Sequence, residues 1–213
     1  SRSLWPCPLL GAAHAVGAFV HSNCRLAHPS RTAESMYECS LLSECALSCP
    51  NRLVQLGTTF QLQVFRCLST DSRFHKGWGV RSPDPISKGS FVCEYIGEHI
   101  SDDEAESRGI RYDQQKMSRL MDVVGDGKDA VHMCIDATKF SNLGRFLNHS
   151  CAPNCFKQRV FCDHSTRLPR VAFFALRDIE PFEELCYDYG YTDVPGKTMP
   201  CLCGAKGCKK LLY

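Results

Sequence analysis

Residues 145–151 read Arg145-Phe146-Leu147-Asn148-His149-Ser150-Cys151, and Pro153-Asn154-Cys155 follows almost at once. An apolar pair is here followed by polar residues that favour turns. An Asn-His pair that is buried needs hydrogen-bond partners. The stretch therefore indicates either hydrogen bonds within the protein or a polar ligand at positions 148 and 149.

Toward the C-terminus, residues 183–191 read Glu183-Glu184-Leu185-Cys186-Tyr187-Asp188-Tyr189-Gly190-Tyr191. Tyr187 and Tyr189 lie two positions apart, so an extended segment places both rings on one face. Two tyrosines on one face usually pack in a core or on a surface. The pattern alone leaves packing and a functional role both open.

Toward the N-terminus, Gly77-Trp78-Gly79 places a glycine on each side of Trp78. Glycine has no Cβ, so the backbone there is open to close approach by another group. The motif fits a turn that leads into a strand with a packed Trp78. It also fits a backbone that contacts a ligand.

The chain has 15 cysteines in 213 residues, an odd number, so paired disulfides cannot account for all of them. Several cluster beside Gly, Pro and Asn, whereas five stand singly in apolar runs: Cys67, Cys93, Cys134, Cys162 and Cys186. This mixture favours zinc over disulfides for the clusters, and packing in the core for the single residues.

The C-terminal cluster is Cys201-Leu202-Cys203-Gly204-Ala205-Lys206-Gly207-Cys208. Its three thiols need a fourth ligand for a closed tetrahedral zinc site, and Cys151 is the candidate. The alternative is a flexible tail with free thiols. A second group, Cys39, Cys45 and Cys49, would need an upstream Cys or His to complete a zinc site. Otherwise packing alone holds that segment.

Composition and charge limit the classes of function. Hydrophobic residues make up 44% of the chain, which is enough for a sizeable core. The 25 Lys and Arg against 23 Asp and Glu leave a net charge of +2, too small to predict direct nucleic-acid binding. The apolar run at residues 11–20 is too short for a membrane span and lacks the basic segment that precedes a secretory signal. We therefore expect no membrane association.

Hydrophobic patterning predicts a mostly β chain with short helices. Residues 60–65 alternate apolar and polar side chains, residues 89–97 do so less strictly, and the continuous apolar run 171–176 suits a buried strand. Residues 102–117 carry charges at helical spacing, and Ser101 suits the N-cap position. We expect a short exposed helix there.

In this order and at these separations, the motifs resemble the SET domain of the histone H3 lysine-9 methyltransferases, from about Tyr37 to Cys208. The resemblance also includes the stretches Pro50-Asn51-Arg52-Leu53-Val54-Gln55, Val80-Arg81, Glu94-Tyr95-Ile96-Gly97-Glu98 and Leu168-Pro169-Arg170-Val171-Ala172-Phe173-Phe174. It implies a knotted arrangement of small β-sheets in which the Asn-His-Ser-Cys and Asp-Tyr-Gly segments cross. After a poorly ordered segment (1–34), it implies a degenerate pre-SET segment (35–59), the SET domain (60–192) and a zinc-bound post-SET tail (193–213).

The resemblance also implies roles for individual residues. S-adenosylmethionine, the methyl donor of the family, would be held by nine residues: Lys76, Gly77, Trp78, Gly79, Ser118, Arg119, Arg145, Asn148 and His149. Tyr189 would act at the reaction centre, and Tyr95 would line the same channel. Tyr187 falls where the family alternates between Phe and Tyr, and would favour mono- or dimethylation. The zinc of the tail would be structural and would fold the tail over the channel.

Two positions depart from the family pattern. Arg119 stands where the family usually has a tyrosine beside the cofactor, which puts cofactor affinity in question. Ser43 stands where a pre-SET cysteine is expected, and only Cys7 and Cys24 lie upstream. The three-zinc pre-SET cluster of the family therefore cannot be built.

The expected function is transfer of a methyl group from S-adenosylmethionine to a histone lysine, with histone H3 lysine 9 as the leading substrate. Methylation of another histone site or of a non-histone lysine is the first alternative. The second is a catalytically weak SET domain that binds chromatin partners as a scaffold, because of Arg119 and the missing pre-SET cysteines. The expected partners are the histone H3 tail or another protein lysine, and chromatin. The expected location is the nucleus, on the chromosome.

Overall fold

The computed structural model describes residues 20–21, 25–26, 35–41, 43, 46–67, 76–115, 118–126, 130–162, 165–191 and 199–212. Within them the chain is mostly β, as the patterning predicts. The strands are β1 Val20–His21, β2 Arg25–Leu26, β3 Met36–Tyr37, β4 Gln63–Arg66, β5 Trp78–Arg81, β6 Phe91–Tyr95, β7 Glu98–Ile100, β8 Leu120–Val124, β9 His132–Asp136, β10 Asn148–His149, β11 Cys155–Cys162, β12 Ser165–Ala175 and β13 Cys186–Tyr187. The helices are α1 Leu53–Leu56 and α2 Asp102–Gln115, and a 3-10 turn spans Leu143–Phe146.

A four-stranded sheet with the order β3-β11-β12-β6 carries most of the core. The apolar run at residues 171–175 forms the buried half of β12, which suits a strand covered on both faces. Phe173 and Phe174 belong to different core clusters, because successive side chains of a strand point to opposite faces. The cluster that contains Phe173 also contains Tyr95 and Tyr187. Two candidate site residues are thus built on the core itself.

A three-stranded sheet with the order β7-β9-β8 packs against helix α2. Ser101 caps this helix, since its Oγ accepts a hydrogen bond from the Glu104 N–H at 3.3 Å. Arg108 and Tyr112 tie the helix to the sheet by donating to Oδ2 of Asp136, at 2.8 and 2.9 Å. Asp136 is fully buried, and these donors offset the cost of removing its charge from water.

Strands β10 and β13 pair in parallel, with Asn148 opposite Cys186 and His149 opposite Tyr187. Parallel neighbours need a long connection, and here β11 and β12 supply it. The pairing lays the Asn-His-Ser-Cys segment beside the segment that contains both candidate tyrosines. The predicted meeting of these two segments is confirmed.

The observed strands differ from the predicted ones at their ends. The strand predicted over residues 60–65 is β4, which begins only at Gln63 because its partner β5 offers four residues for pairing. The strand predicted over residues 171–176 is the second half of the longer β12. β12 begins at Ser165 and pairs with β11 along both of its halves, and the apolar run alone did not reveal the first half.

The helix predicted over residues 102–117 is α2, and residues 116 and 117 lie outside the described residues, as does most of the segment 1–34. The four segment boundaries therefore stay predictions. In the described part of the chain, no helix is both long enough and apolar enough to cross a membrane.

Candidate active site

Three polar side chains from distant parts of the sequence meet beside the β10–β13 pair. The Nδ2 of Asn148 donates to the carbonyl oxygen of Trp78 at 2.9 Å and to Oε1 of Glu184 at 2.8 Å. The Nζ of Lys76 lies 2.5 Å from Oε2 of Glu184. We call Lys76, Asn148 and Glu184 the polar wall. Asn148 therefore uses its NH2 group for hydrogen bonds within the protein.

The Gly-Trp-Gly motif lies against the polar wall. Gly77 has a φ of +79°, a left-handed conformation that glycine adopts without strain. A Cβ on Gly79 would lie 2.8 Å from the Cys67 sulfur and 3.0 Å from Oε1 of Glu184. The prediction that other groups closely approach this backbone is confirmed, and Cys67 and Glu184 are two of those groups.

The charged pair of the polar wall is partly buried. Burial lowers the pKa of the Lys76 ammonium, but the hydrogen bond and the charge of Glu184 outweigh it, so the pKa lies above its ordinary value. Lys76 is therefore charged at neutral pH. Burial first, and the charge of Glu184 second, raise the pKa of Cys67 to about 11, so its thiol stays neutral.

Sequence patterning did not assign Glu184 to the site. The sequence nevertheless holds one sign of its role: Glu184 stands directly before the buried pair Leu185-Cys186. A charged side chain at the edge of a core needs a partner. That partner, Lys76, lies 108 residues away in the sequence. Local spacing could not reveal the contact.

Four aromatic rings form a second group, which we call the aromatic wall: Tyr95, Phe173, Tyr187 and Tyr189. The ring centroids of Phe173 and Tyr187 lie 4.6 Å apart, and those of Tyr187 and Tyr189 lie 4.7 Å apart. Tyr95 meets Phe173 edge-on at 6.4 Å. The tilted ring contact of Tyr187 with Tyr189 confirms that they share a face.

The three tyrosine hydroxyls of the aromatic wall differ in their partners. Tyr95 donates to the carbonyl of Arg119 at 2.7 Å, and Tyr189 donates to the carbonyl of Leu147 at 3.0 Å. Within the described residues, no protein group hydrogen-bonds the hydroxyl of Tyr187. Burial is the main cause that raises the pKa of all three phenols, so each is a neutral hydroxyl at neutral pH.

His149 joins the two walls. Its Nδ1 accepts a hydrogen bond from the backbone N–H of Tyr189 at 3.2 Å, so a neutral ring carries its proton on Nε2. That nitrogen lies 3.4 Å from the sulfur of Cys151. Burial lowers the pKa of the imidazole, which favours the neutral ring. The side chain of His149 is thus engaged within the protein on both of its nitrogens.

The two arginines that sequence analysis assigned to the cofactor both lie near Tyr95, because the charge of each opposes the rise in its pKa. Arg119 donates to the Ser118 carbonyl at 2.9 Å, and its charge opposes the rise in the tyrosine pKa values, so it lies near the aromatic wall. Arg145 donates to the Thr138 carbonyl at 3.0 Å and to the Ser141 hydroxyl at 3.2 Å. In this state Arg145 holds the turn that follows β9.

The four sulfur atoms of Cys151, Cys201, Cys203 and Cys208 all lie within 4.8 Å of one another. Four thiols at such distances are the donor set of a closed zinc site. Backbone N–H groups lie 3.3–3.5 Å from three of the sulfurs, and such donors stabilise thiolates. Burial opposes ionisation of Cys203, but backbone N–H groups lower its pKa to about 6. The donor chemistry of this cluster fits zinc.

The N-terminal cysteines form a smaller group. The sulfurs of Cys39 and Cys49 lie 3.8 Å apart, and the Nδ2 of Asn51 donates to Cys39 at 3.4 Å. Cys45 lies outside the described residues. A second zinc here therefore stays a prediction. The five single cysteines that were predicted to pack in the core are all buried.

Residues 77–190, more than half of the chain, match the family model of the SET domain. The chain therefore belongs to the SET-domain family. It is 41% identical over 206 residues to the H3 lysine-9 specific histone-lysine N-methyltransferase SUVH6 of Arabidopsis thaliana, with 84% of this chain and 25% of that protein covered. The chain thus spans about a quarter of the length of that relative.

Two solved structures give the same fold. The methyltransferase domain of human SETMAR superposes with a TM-score of 0.80 and 34% identity, covering 93% of this chain and 74% of that chain. KRYPTONITE, solved with mCHH DNA, an H3(1-15) peptide and SAH, superposes with a TM-score of 0.68 and 36% identity. The match covers 89% of this chain and 36% of that chain. The predicted SET-domain fold is confirmed.

Proposed function

We propose that the chain is an S-adenosylmethionine-dependent protein-lysine N-methyltransferase that acts on a histone lysine, with histone H3 lysine 9 as the leading substrate. One observation carries the proposal: the parallel β10–β13 pair and His149 place a polar wall directly beside an aromatic wall. The polar wall suits a charged cofactor, and the aromatic wall suits an alkyl amine. The naming of SUVH6 as H3 lysine-9 specific and the H3 peptide bound to KRYPTONITE support the substrate.

The cofactor would lie against the polar wall and the backbone of residues 77–79, with Ser118, Arg119 and Arg145 at its edges. When bound, S-adenosylmethionine supplies a methyl group on a positively charged sulfur. Asn148 and the neighbouring backbone offer hydrogen-bond partners to its amino-acid and adenine parts. Arg119, near the aromatic wall, has a planar guanidinium that can stack or donate where the family has a ring.

The substrate lysine would enter along the aromatic wall. Methyl transfer needs a neutral amine, and a narrow channel that removes the ammonium from water lowers its pKa. Tyr189 donates its proton to Leu147, so its oxygen has lone pairs left to accept an N–H from the amine and orient it. Tyr95 would line the same channel.

The tail would bind one zinc ion through Cys151, Cys201, Cys203 and Cys208. The ion would be structural, since four cysteine ligands leave no open position for a substrate. Because Cys151 lies next to His149, the bound ion would hold the tail against the polar wall and limit the access of water. A histone substrate would place the protein on chromatin in the nucleus.

Methylation of defined substrates tests the proposal. The purified chain is incubated with S-adenosylmethionine and intact histones, an H3 tail peptide, or the same peptide with lysine 9 replaced by arginine, and products are read by mass spectrometry. We expect methyl groups on lysine 9 and none on the arginine peptide. Methylation of histones only at other sites would mean that another histone lysine is the substrate. Cofactor binding without methylation of any histone would support the scaffold instead.

A further inference from the structure

The amide of Asn148 has a defined orientation. An amide offers an NH2 group that donates and an oxygen that accepts, whereas the Trp78 carbonyl and an ionised Glu184 can only accept. The atom that lies 2.9 and 2.8 Å from these two acceptors is therefore the nitrogen. The amide oxygen then points away from both. Among the described residues no protein group donates to it, and it is not buried.

Glu184 is itself fixed independently of any ligand. Its Oε2 accepts a hydrogen bond from the Lys76 ammonium at 2.5 Å. Its Oε1 also lies 3.5 Å from the thiol of Cys67. Its backbone forms a β-bridge to Arg81. The carboxylate is thus preset, and the orientation of Asn148 follows from it.

We propose that Glu184 is a positioning residue for the cofactor. It fixes the Asn148 amide so that the oxygen faces the ligand and accepts a hydrogen bond from the α-ammonium group of S-adenosylmethionine. The inference rests on the proposed function, because it requires that cofactor. Without Glu184, the NH2 group keeps only the Trp78 carbonyl and the weaker acceptor Cys67, whose sulfur lies 3.7 Å away. An amide that then rotates presents its NH2 group to the ammonium, which needs an acceptor.

Binding of two matched ligands tests the role. The first is S-adenosylhomocysteine, and the second is its analogue without the α-amino group, each measured by calorimetry on the full chain. Glu184→Ala should weaken S-adenosylhomocysteine about tenfold, the value of one hydrogen bond to a charged group, and the analogue less than about twofold. Glu184→Gln, which loses the Lys76 pair but can still accept from Asn148, should show the same selectivity at about threefold. Glu180→Gln, an exposed carboxylate outside the wall, should leave both ligands unchanged.

Kinetics separate positioning from loss of structure. With Glu184→Ala, the KM for S-adenosylmethionine should rise about tenfold while kcat at saturating cofactor stays within about threefold of the wild type. If Glu184→Ala no longer melts cooperatively, Glu184→Gln carries the comparison. Equal losses for both ligands, or no loss for either, would overturn the positioning role.

The outcomes also separate this role from the proposed function. If the Glu184 variants lose affinity selectively for S-adenosylhomocysteine but the wild type methylates no protein, the proposed function is overturned and the positioning role stands. A wild type that methylates histones, while its Glu184 variants lose both ligands equally, overturns the positioning role alone.

Discussion

The polar wall and the aromatic wall are stabilised in different ways. The polar wall takes its side chains from three distant segments and holds them by directional contacts, and the Lys76 and Glu184 side chains remain 16% and 23% exposed. The aromatic wall stands on core strands, and its member Phe173 is fully buried. Removing a group from the polar wall leaves a partner unpaired, whereas removing a phenol hydroxyl leaves the ring packing in place. Substitutions in the first should change binding, and those in the second should change chemistry.

The largest expected effect is that of Tyr189→Phe. A hydroxyl that orients the amine at the reaction centre contributes mainly in the transition state, so kcat should fall by about 100-fold or more. Because the ring still packs on Tyr187, the Kd for S-adenosylhomocysteine should stay within about twofold. Single-turnover methyl transfer and calorimetry measure the two quantities. Tyr191→Phe, which changes an exposed neighbouring ring, is the matched control, and methylation by Tyr189→Phe at the wild-type rate would remove Tyr189 from the reaction centre.

Cys203→Ser tests whether the cysteine cluster supports the polar wall. We expect loss of one zinc per chain by metal analysis, and a fall in methyl transfer on the order of 10- to 100-fold, because Cys151 contacts His149 next to Asn148. Cys49→Ser is the comparison: it should leave the tail zinc in place and reveals whether the N-terminal group holds an ion of its own. An unchanged zinc content in Cys203→Ser would mean that these thiols are not zinc ligands.

Local motifs were sufficient to predict one part of each wall. Asn148 and His149 fall in one short polar stretch, and Tyr187 and Tyr189 share a face at the two-residue period of a strand. The tail cysteines lie close enough in sequence for tight turns to bring them together. In each case the signal lay within a few neighbouring residues.

The rest of the site depends on contacts that no local pattern contains. Glu184 reaches Lys76 and Asn148 because β13 pairs in parallel with β10 and because Glu184 itself bridges to Arg81. The hydroxyl of Tyr95 is held by a backbone carbonyl at Arg119, and any residue type at that position offers the same carbonyl. The partners of the side chains are therefore set by the chain's topology, whereas the residue types are visible in the sequence.

Asn148→Ala should act on binding more than on chemistry. The variant removes the ligand-facing oxygen and leaves the Trp78 carbonyl and Glu184 without a donor, so we expect the Kd for S-adenosylhomocysteine to rise about 30-fold, or ~2 kcal/mol. At saturating cofactor, kcat should stay within about threefold. Calorimetry and steady-state kinetics provide the two values. A fall in kcat with unchanged affinity would show that Asn148 acts in the chemical step, as expected of the aromatic wall, and not in cofactor binding.

The smallest expected effect concerns the product and rests on the hydroxyl of Tyr187. Unlike those of Tyr95 and Tyr189, this hydroxyl has no hydrogen-bond partner among the described residues. It is therefore available to bind the lysine nitrogen or a water beside it, and we expect it to occupy the space in which a methylated nitrogen would turn for another round. The wild type should stall at mono- or dimethyl-lysine.

Tyr187→Phe should continue to trimethyl-lysine. A change of about 1.4 kcal/mol in the barrier of a later step alters its rate tenfold, while the first methylation should stay within about twofold because the ring still packs on Phe173. Time courses of product states by mass spectrometry give both rates. Tyr95→Phe is the matched control, since its hydroxyl is engaged by a backbone carbonyl and its loss should not raise the trimethyl yield. Efficient trimethylation by the wild type would show that Tyr187 packs as an ordinary aromatic residue and does not limit the product.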